Sequence, residues 1–362
     1  MSNSIGKSIV LTLFGESHGP YIGVVIDGLT AGIKINEEFI NEQLSKRRPS
    51  GNIETARVEK DKFEIISGVF NGYTTGAPLC IIIPNENTRS TDYAKSYGIA
   101  RPSHADYVAH MKYKGYEDYR GGGHFSGRLT AAIVAAGAIC LDVLKSKDIT
   151  IGTHILRCGN VYDIPFNNVK EEIEIINNKM FPVISNVEEK MADEIFKAKM
   201  DDDSIGGIIQ TAINNLPVGL GEPWFDSFEG VIANALFSIG GIKGVEFGAG
   251  FNFANLVGST ANDSFKYENS KVVTTTNNNG GINGGITNGM PVVFNAAVKP
   301  TPSISKAQQS IDFIKQQDST LELVGRHDPA IIRRICIVVT SLVAIVVCDQ
   351  LVQRFGQEYL TN

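Results

Sequence analysis

Apolar residues in this chain come in short runs broken by glycine, proline and polar clusters. Runs that read as β-strands include Ile9 to Phe14, Ile22 to Ile26, Phe63 to Val69, Leu79 to Ile83, Ile149 to Leu156, Ile205 to Ile213 and Val292 to Val298. Helix starts are marked between them by polar caps followed by acids or by longer polar-apolar segments. Asn36 stands before Glu37 and Glu38, Asn186 before Glu188 and Glu189, and Ser305 before the Lys306 to Gln317 segment, so each predicts a helix. Leu129 to Lys145 differs, because its Ala, Ile and Val interior leaves almost no polar face, which predicts a helix buried between layers. Thr274 to Gly289, rich in Asn, Thr and Gly, predicts a glycine loop. No repeat of fixed period and no Pro- or Ser-rich linker interrupts the chain, so the pattern predicts one continuous α+β domain over residues 1–362.

Composition narrows the classes. With 362 residues and 43% hydrophobic content the chain can bury a substantial core. A net charge of −6 argues against a chain-wide nucleic-acid surface but leaves room for a local arginine cluster. Cys80, Cys140, Cys158, Cys336 and Cys348 are odd in number and form no CxxC pair, which fits free thiols in a reducing compartment better than a disulfide frame or a zinc site. Ile9 to Phe14 is too short for the apolar part of a secretory signal and leads straight into Glu16 and His18. The longest apolar stretch, Ile335 to Val347, falls short of a membrane span. The expectation is a soluble cytoplasmic protein with no metal, no nucleic-acid partner and no membrane partner.

Chemistry concentrates in a few short blocks. GESHG, Gly15 to Gly19, places Ser17 and His18 between glycines at the end of a strand, and imidazole is the side chain that exchanges protons near neutral pH. A histidine beside glycine is also a common plain surface turn. Lys46, Arg47 and Arg48 precede Pro49, and Arg89, Arg101 and Arg128 stand in segments rich in Ser, Gly or Pro. Guanidinium forks pair with planar anions, so the set points to a substrate with more than one negative group, with a solvated charged surface as the other reading. In RPSHADY, His104 sits two residues before Asp106, and a carboxylate beside an imidazole favours its charged form. His104 is equally readable as a hydrogen-bonded structural histidine. YRGGGHFSGR, Tyr119 to Arg128, opens the alanine-rich helix with glycines whose N–H groups can meet a phosphate, yet it is neither a P-loop nor a GxGxxG fingerprint. In GRHDPA, Asp328 follows Arg326 and His327, either as an oriented carboxylate or as a helix cap with Pro329 at the first helical position. KPTPS, Lys299 to Ser303, offers an ammonium and two hydroxyls to an anionic tail.

Taken in order, GESHG, KRRPSG, SGVFNGYTTGAP, NENTRSTDY, RPSHADY, YRGGGHFSGR, DSIGG, LPVGLGEPWFD, IKGVEFGAGF, GGINGGITNGMPV, KPTPS and GRHDP resemble the chorismate synthase family from about Gly15 to Pro329. The resemblance implies an α+β sandwich, helices layered between two mostly antiparallel sheets, assembled as a homotetramer. It also implies conversion of 5-enolpyruvylshikimate 3-phosphate into chorismate and phosphate by an anti-1,4-elimination, the last step of the shikimate pathway, with reduced FMN required and no net redox change. By the same resemblance His18 gives a proton to the departing phosphate and His104 protonates or stabilises the flavin near its pyrimidine ring. Asp328 assists proton removal together with the flavin, and the hydroxyls of Ser17 and Ser126 are associated with it. Arg48, with Arg47 and Arg128, belongs to the substrate end of the pocket. FMN falls to His124, Phe125 and Ser126, to Asn234 and Ala235, to Gly284, to Lys299, Pro300, Thr301, Pro302 and Ser303, and to Arg326.

Several positions depart from the commoner family pattern. Where many members read GGGRSSARET this chain reads GGGHFSGRLT, so His124 and Phe125 replace Arg and Ser, and Leu129 replaces Glu. Ser103 stands where Gly is usual and Pro302 where Ser is usual. If His124 takes over the arginine's contact as an imidazolium, affinity for an anionic ligand should weaken as pH rises; otherwise His124 and Phe125 only repack the helix entrance. Two other readings stand beside the family's: a flavin enzyme with a different phosphorylated substrate, and a binding or scaffold protein without turnover. A non-catalytic relative is expected to lose His18, His104 or Asp328, and this chain keeps all three. The residues leave open whether the chain reduces its own FMN with NADPH or draws on a separate flavin reductase.

Overall fold

The computed structural model describes residues 3–49, 53–54, 60–86, 97–323 and 328–361. Strands β1 (Ser4–Ile5), β2 (Val10–Gly15), β3 (Tyr21–Asp27), β4 (Glu64–Ser67) and β5 (Leu79–Pro84) form an antiparallel sheet in the order β1-β2-β3-β5-β4. A second antiparallel sheet, ordered β9-β10-β8-β6-β7, is built from β6 (Thr150–Cys158), β7 (Val161–Tyr162), β8 (Gly207–Asn214), β9 (Ile242–Phe247) and β10 (Val292–Val298). The principal helices are α1 (Glu37–Arg47), α2 (Asp106–Tyr113), α3 (Thr130–Ser146), α4 (Val169–Asn177), α5 (Glu188–Met200), α6 (Phe228–Ser238) and α7 (Ile332–Phe355).

The sheets are held apart by two helices. α3 packs against β3 and β5 on one side and against α7 on the other, while α7 packs against β6 and β8. Sheet, helix, helix and sheet therefore stack as four layers, the sandwich that the resemblance implied. A helix in the middle of such a stack needs apolar residues all round. α3 has them, as its sequence predicts, and in α7 every residue from Ile335 to Val352 is buried. The two helices approach closely at Gly137, where a β-carbon would fall 2.4 Å from the Cβ of Ser341. Both Gly127–Ser146 and Ile332–Phe355 are long and apolar enough to cross a membrane by length and composition alone, and both are largely buried here. The reading that no segment reaches span length is corrected: the helix continues past Val347 through Phe355, and its apolar surface meets the sandwich core.

Two charged residues of α7 tie distant segments to this core. Arg333, in the first turn, pairs with buried Glu54 and donates to the carbonyls of Lys46, Arg48 and Met180. A cation there opposes the helix dipole, and these acceptors offset it. Near the other end, the carboxylate of Asp349 accepts the backbone N–H groups of Lys7, Ser8 and Ile9.

Most strand and helix expectations recur with shifted ends, and Val292 to Val298 coincides with β10. α1 begins where Asn36 predicts, its side chain accepting the Phe39 N–H at 3.1 Å. α5 follows Asn186 but is capped by Val187, without a side-chain bond. The helix expected after Ser305 does not form. Gln308–Asp312 and Gln317–Leu321 pair instead as an antiparallel hairpin that bridges to Ile99 and whose Ser310 hydroxyl donates to the Ala100 carbonyl. Tertiary pairing with residues 98–100 outweighs the local cap. The glycine loop holds a short pair of strands, Ile282–Asn283 and Ile286–Thr287. Pro329 is not the first helical residue, because α7 starts at Ile332.

Candidate active site

The site grows from a turn of three consecutive glycines at the entrance to α3. Gly121, Gly122 and Gly123 have φ of +60°, +83° and +52°, a left-handed run that side chains rarely adopt. The GESHG segment leaving β2 docks on this turn. Ser17 donates its N–H to the Gly123 carbonyl at 3.1 Å, and its hydroxyl lies 3.1 Å from the carbonyls of both Arg120 and Gly121. His124 Nδ1–H donates to the Gly15 carbonyl at 2.8 Å. A β-carbon on Gly121 would fall 2.6 Å from Cδ2 and Nε2 of His18, and one on Gly122 would fall 3.3 Å from Cε1 of His104. The absence of side chains on two adjacent glycines thus lets the two imidazoles, 86 positions apart in the sequence (104 − 18), pack on one turn.

Both imidazoles have acids nearby. His104 Nδ1 lies 2.9 Å from Asp106 Oδ1, and Asp106 also accepts from Arg101 Nε at 2.8 Å, Nη2 at 2.6 Å and the Arg101 N–H at 2.9 Å. Burial pushes the Asp106 carboxyl up, but hydrogen bonds and charge from Arg101 and His104 outweigh it and hold the group well below the usual carboxylate range. Beside His18, Asp118 is held low chiefly by its hydrogen bond from Arg120, with the nearby imidazole adding to the effect.

The ends of the second sheet close on the same place. Lys299, just past β10, donates from Nζ to the Ser103 carbonyl at 2.6 Å. Burial, and then the neighbouring Lys243, push its ammonium below the ordinary lysine value. The Ser204 hydroxyl donates to the Thr301 carbonyl at 2.7 Å and the Ile205 N–H to the Pro329 carbonyl at 2.8 Å, so the DSIGG segment joins KPTPS to the Asp328 neighbourhood. Asp328 is ion-paired with Arg334. His18, His104, Lys299, Thr301 and Asp328 thereby belong to one connected set of segments drawn from both sheets.

The arginines divide. Arg47 and Arg128 are buried and converge on the buried carboxylate of Asp61. Arg47 also donates to Thr130 Oγ1 at 2.9 Å and to the Gly127 carbonyl at 3.1 Å, and Arg128 to Asn85 Oδ1 at 3.0 Å and the Pro84 carbonyl at 3.2 Å. Arg48 is half-exposed, with its Nε 4.0 Å from Asp61 and that nitrogen without a hydrogen-bond partner. Arginines 47, 48 and 128 thus lie around one buried aspartate. Asp61 carried no local sequence signal, and neither did the Glu54–Arg333 pair that supports the Arg48 backbone from beneath.

Other expected contacts fall elsewhere or remain local. Ser126 accepts the Arg128 N–H at 3.3 Å and caps the short turn Gly127–Leu129. Phe125 is half-exposed beside Tyr113. Pro300 is exposed, and Pro302 and Ser303 are half-buried next to Thr301, whose Oγ1 is buried without a hydrogen-bond partner. Asn234 is exposed on α6 while Ala235 is buried under it, and neither joins the contacts described above. Gly284, at φ +60°, turns the strand pair of the glycine loop, with open space where a side chain would be. Arg326 lies outside the described residues, as do Arg89 and His327. Ser103, where the family pattern favours glycine, has φ +59°, the backbone region that explains that preference.

A two-sheet sandwich that gathers imidazoles, carboxylates and guanidinium groups around a glycine turn defines an enzyme class equipped to move protons beside an anionic small molecule. Comparison with known proteins narrows that class. The family described as Chorismate synthase matches residues 9–352. The chain is 43% identical to the chorismate synthase of Thermococcus kodakarensis over 98% of each chain, and 43% identical to that of Dehalococcoides mccartyi over 96% of each. That of Methanobrevibacter smithii is 42% identical, over 98% of this chain and 97% of the relative. A crystal structure of a chorismate synthase superposes with a TM-score of 0.77 at 28% identity, covering 99% of this chain and 96% of that one. The chain belongs to the chorismate synthase family and is an enzyme of the lyase type.

Proposed function

We propose that this enzyme eliminates phosphate from 5-enolpyruvylshikimate 3-phosphate to give chorismate, with reduced FMN as its cofactor. The observation that carries the reading is the placement of His18 and His104 on adjacent glycines of one turn, which offers two proton-transfer groups to one small ligand. In the elimination a ring C–H bond and the C–O bond to phosphate break, a C=C bond forms, and phosphate departs with the electron pair. His18 is assigned to the departing phosphate and His104 to the flavin side. Asp328, with Ser17 and Ser126, is assigned to the proton leaving the ring carbon.

The residues present fit FMN. Thr301 Oγ1 is a buried hydroxyl without a partner, and it stands in a segment carrying Lys299, with Lys243 near that ammonium, a donor set suited to the phosphate tail. When bound, reduced FMN supplies electron density that makes loss of an unactivated ring hydrogen feasible. Arg48, and with it Arg47 and Arg128 around Asp61, orients the substrate's anionic groups. We assign His124, Phe125, Ser126, Asn234, Ala235, Gly284, Lys299, Pro300, Thr301, Pro302, Ser303 and Arg326 to FMN by resemblance to the family, and read the whole chain as one domain of a soluble, cytoplasmic homotetramer.

An anaerobic assay with photoreduced FMN and 5-enolpyruvylshikimate 3-phosphate, following both chorismate and phosphate, tests this directly; absence of either product overturns it. Repeating the assay aerobically with NADPH and no other enzyme decides whether a separate flavin reductase is needed. Asp328→Asn keeps the size and removes the base, so kcat is expected to fall about 10²-fold or more while FMN and substrate still bind. Near wild-type turnover in that variant removes Asp328 from the mechanism.

A further inference from the structure

We propose that Asp106 is a positioning residue that fixes the His104 ring with its proton on Nδ1, so that Nε2 is the atom that exchanges protons at the glycine turn. This rests on the placement of His104 in the site proposed above and adds the atom and its control.

The hydrogen-bond inventory of Asp106 leaves one solution. Its Oδ2 accepts the Arg101 N–H and Nε–H, and its Oδ1 accepts Arg101 Nη2–H at 2.6 Å. The remaining contact, 2.9 Å from Oδ1 to His104 Nδ1, joins a carboxylate already fixed as an acceptor to a ring nitrogen, which must supply the proton. Arg101 grips the carboxylate through two side-chain nitrogens and its own backbone, a planar fork that a lysine does not reproduce. Asp106 is also the first residue of α2, where a negative charge is favoured by the helix dipole. The loop before it is held from the other side by Lys299 on the Ser103 carbonyl. Among the described residues, His104 Nε2 has no hydrogen-bond partner, and this edge faces Gly122, where a β-carbon would fall 3.6 Å from Nε2. The order Arg101, Asp106, His104, glycine turn is therefore a line of orientation that ends at one nitrogen.

The test uses full-length enzyme labelled with ¹⁵N-histidine and observed by NMR at a pH where the ring is neutral. Six histidines contribute, and His104→Ala identifies the relevant signal by its loss. In wild type the Nδ1 signal should be of the protonated type and Nε2 of the unprotonated type. In Asp106→Asn, whose amide can donate as well as accept, that pattern should become a mixture or reverse, and kcat should fall about 10²-fold with KM and FMN affinity within about two-fold. Arg101→Lys should shift both readouts in the same direction by less. A wild-type signal protonated on Nε2 overturns the proposal, as does an Asp106→Asn enzyme with unchanged tautomer and kcat. Should Asp106→Asn not fold, the wild-type spectrum and Arg101→Lys decide. If the tautomer is as stated but His104→Ala turns over normally, the positioning stands and the catalytic reading of His104 falls.

Discussion

Two histidine–aspartate pairs among the described residues differ in what surrounds the second ring nitrogen. In the active-site pair, His104 Nδ1 meets Asp106 and Nε2 faces a glycine turn. In β6, His154 is fully buried, with Nδ1 3.2 Å from Asp163 and Nε2 3.3 Å from Gln210 Oε1. That second pair continues as a ladder across the sheet. His154 opposes Gln210, Gln210 opposes Asn295, and Asn295 opposes Glu246 in the strand register. Gln210 donates to Asn295 and Asn295 donates to Glu246, both at 3.0 Å. Asp163 is closed off by the N–H groups of Ile184 and Ser185 and by the Ser185 hydroxyl. A histidine with both nitrogens engaged has nothing left for a ligand, so the same residue pair is a strut in one place, while in the other it keeps the second nitrogen for the proton-transfer role proposed above.

The largest effect expected from this difference is on stability. His154→Ala leaves the Asp163 carboxylate buried without its ring partner and should cost about 3 to 5 kcal/mol in urea unfolding, while the folded fraction keeps its kcat. Asp106→Asn, at a partly exposed site, should cost clearly less stability and far more turnover. Equal stability losses in the two variants would mean that both pairs carry the same structural load.

A smaller effect of the buried pair is expected at low pH. Burial raises the Asp163 carboxyl, but His154, Ser185 and the N–H groups of Ile184 and Ser185 outweigh burial and hold it well below the usual range. A folded-state value below the unfolded one, ordinarily about 3.9, gives stability that is complete above that pH and lost as pH falls toward the folded value. The urea midpoint of wild type should therefore drop as pH is lowered below about 4, and Asp163→Asn should show a shallower drop. An unchanged acid limb in that variant would show that the pair contributes little to acid sensitivity.

The sequence displayed the two pairs unequally. Asp106 lies two residues from His104 in a loop flanked by proline, so its partnership is local and readable, whereas His154 sits within a strand run and meets Asp163 only after β6 turns into β7. Long-range closure was equally hidden. Asp61 is 14 residues from Arg47 and 67 from Arg128, and Lys299 is 196 from Ser103, separations that only the packed sheets determine. α1 was legible because its cap acts within one turn. The hairpin after Ser305 was not, because residues 98–100 supply the pairing that overrides local preference. The family motifs carried further than periodicity, since they mark the loops that meet at the glycine turn and not the elements that bring them there.

In the proposed reaction the histidines on that turn have different duties, His104 toward the flavin and His18 toward the leaving phosphate. Absorbance of bound reduced FMN in the ternary complex, recorded against pH for wild type, His104→Ala and His18→Ala, tests it most directly. His104→Ala should show an altered spectrum and apparent flavin pKa, and His18→Ala a near wild-type spectrum despite slowed phosphate release. Identical spectral changes in both variants would contradict it.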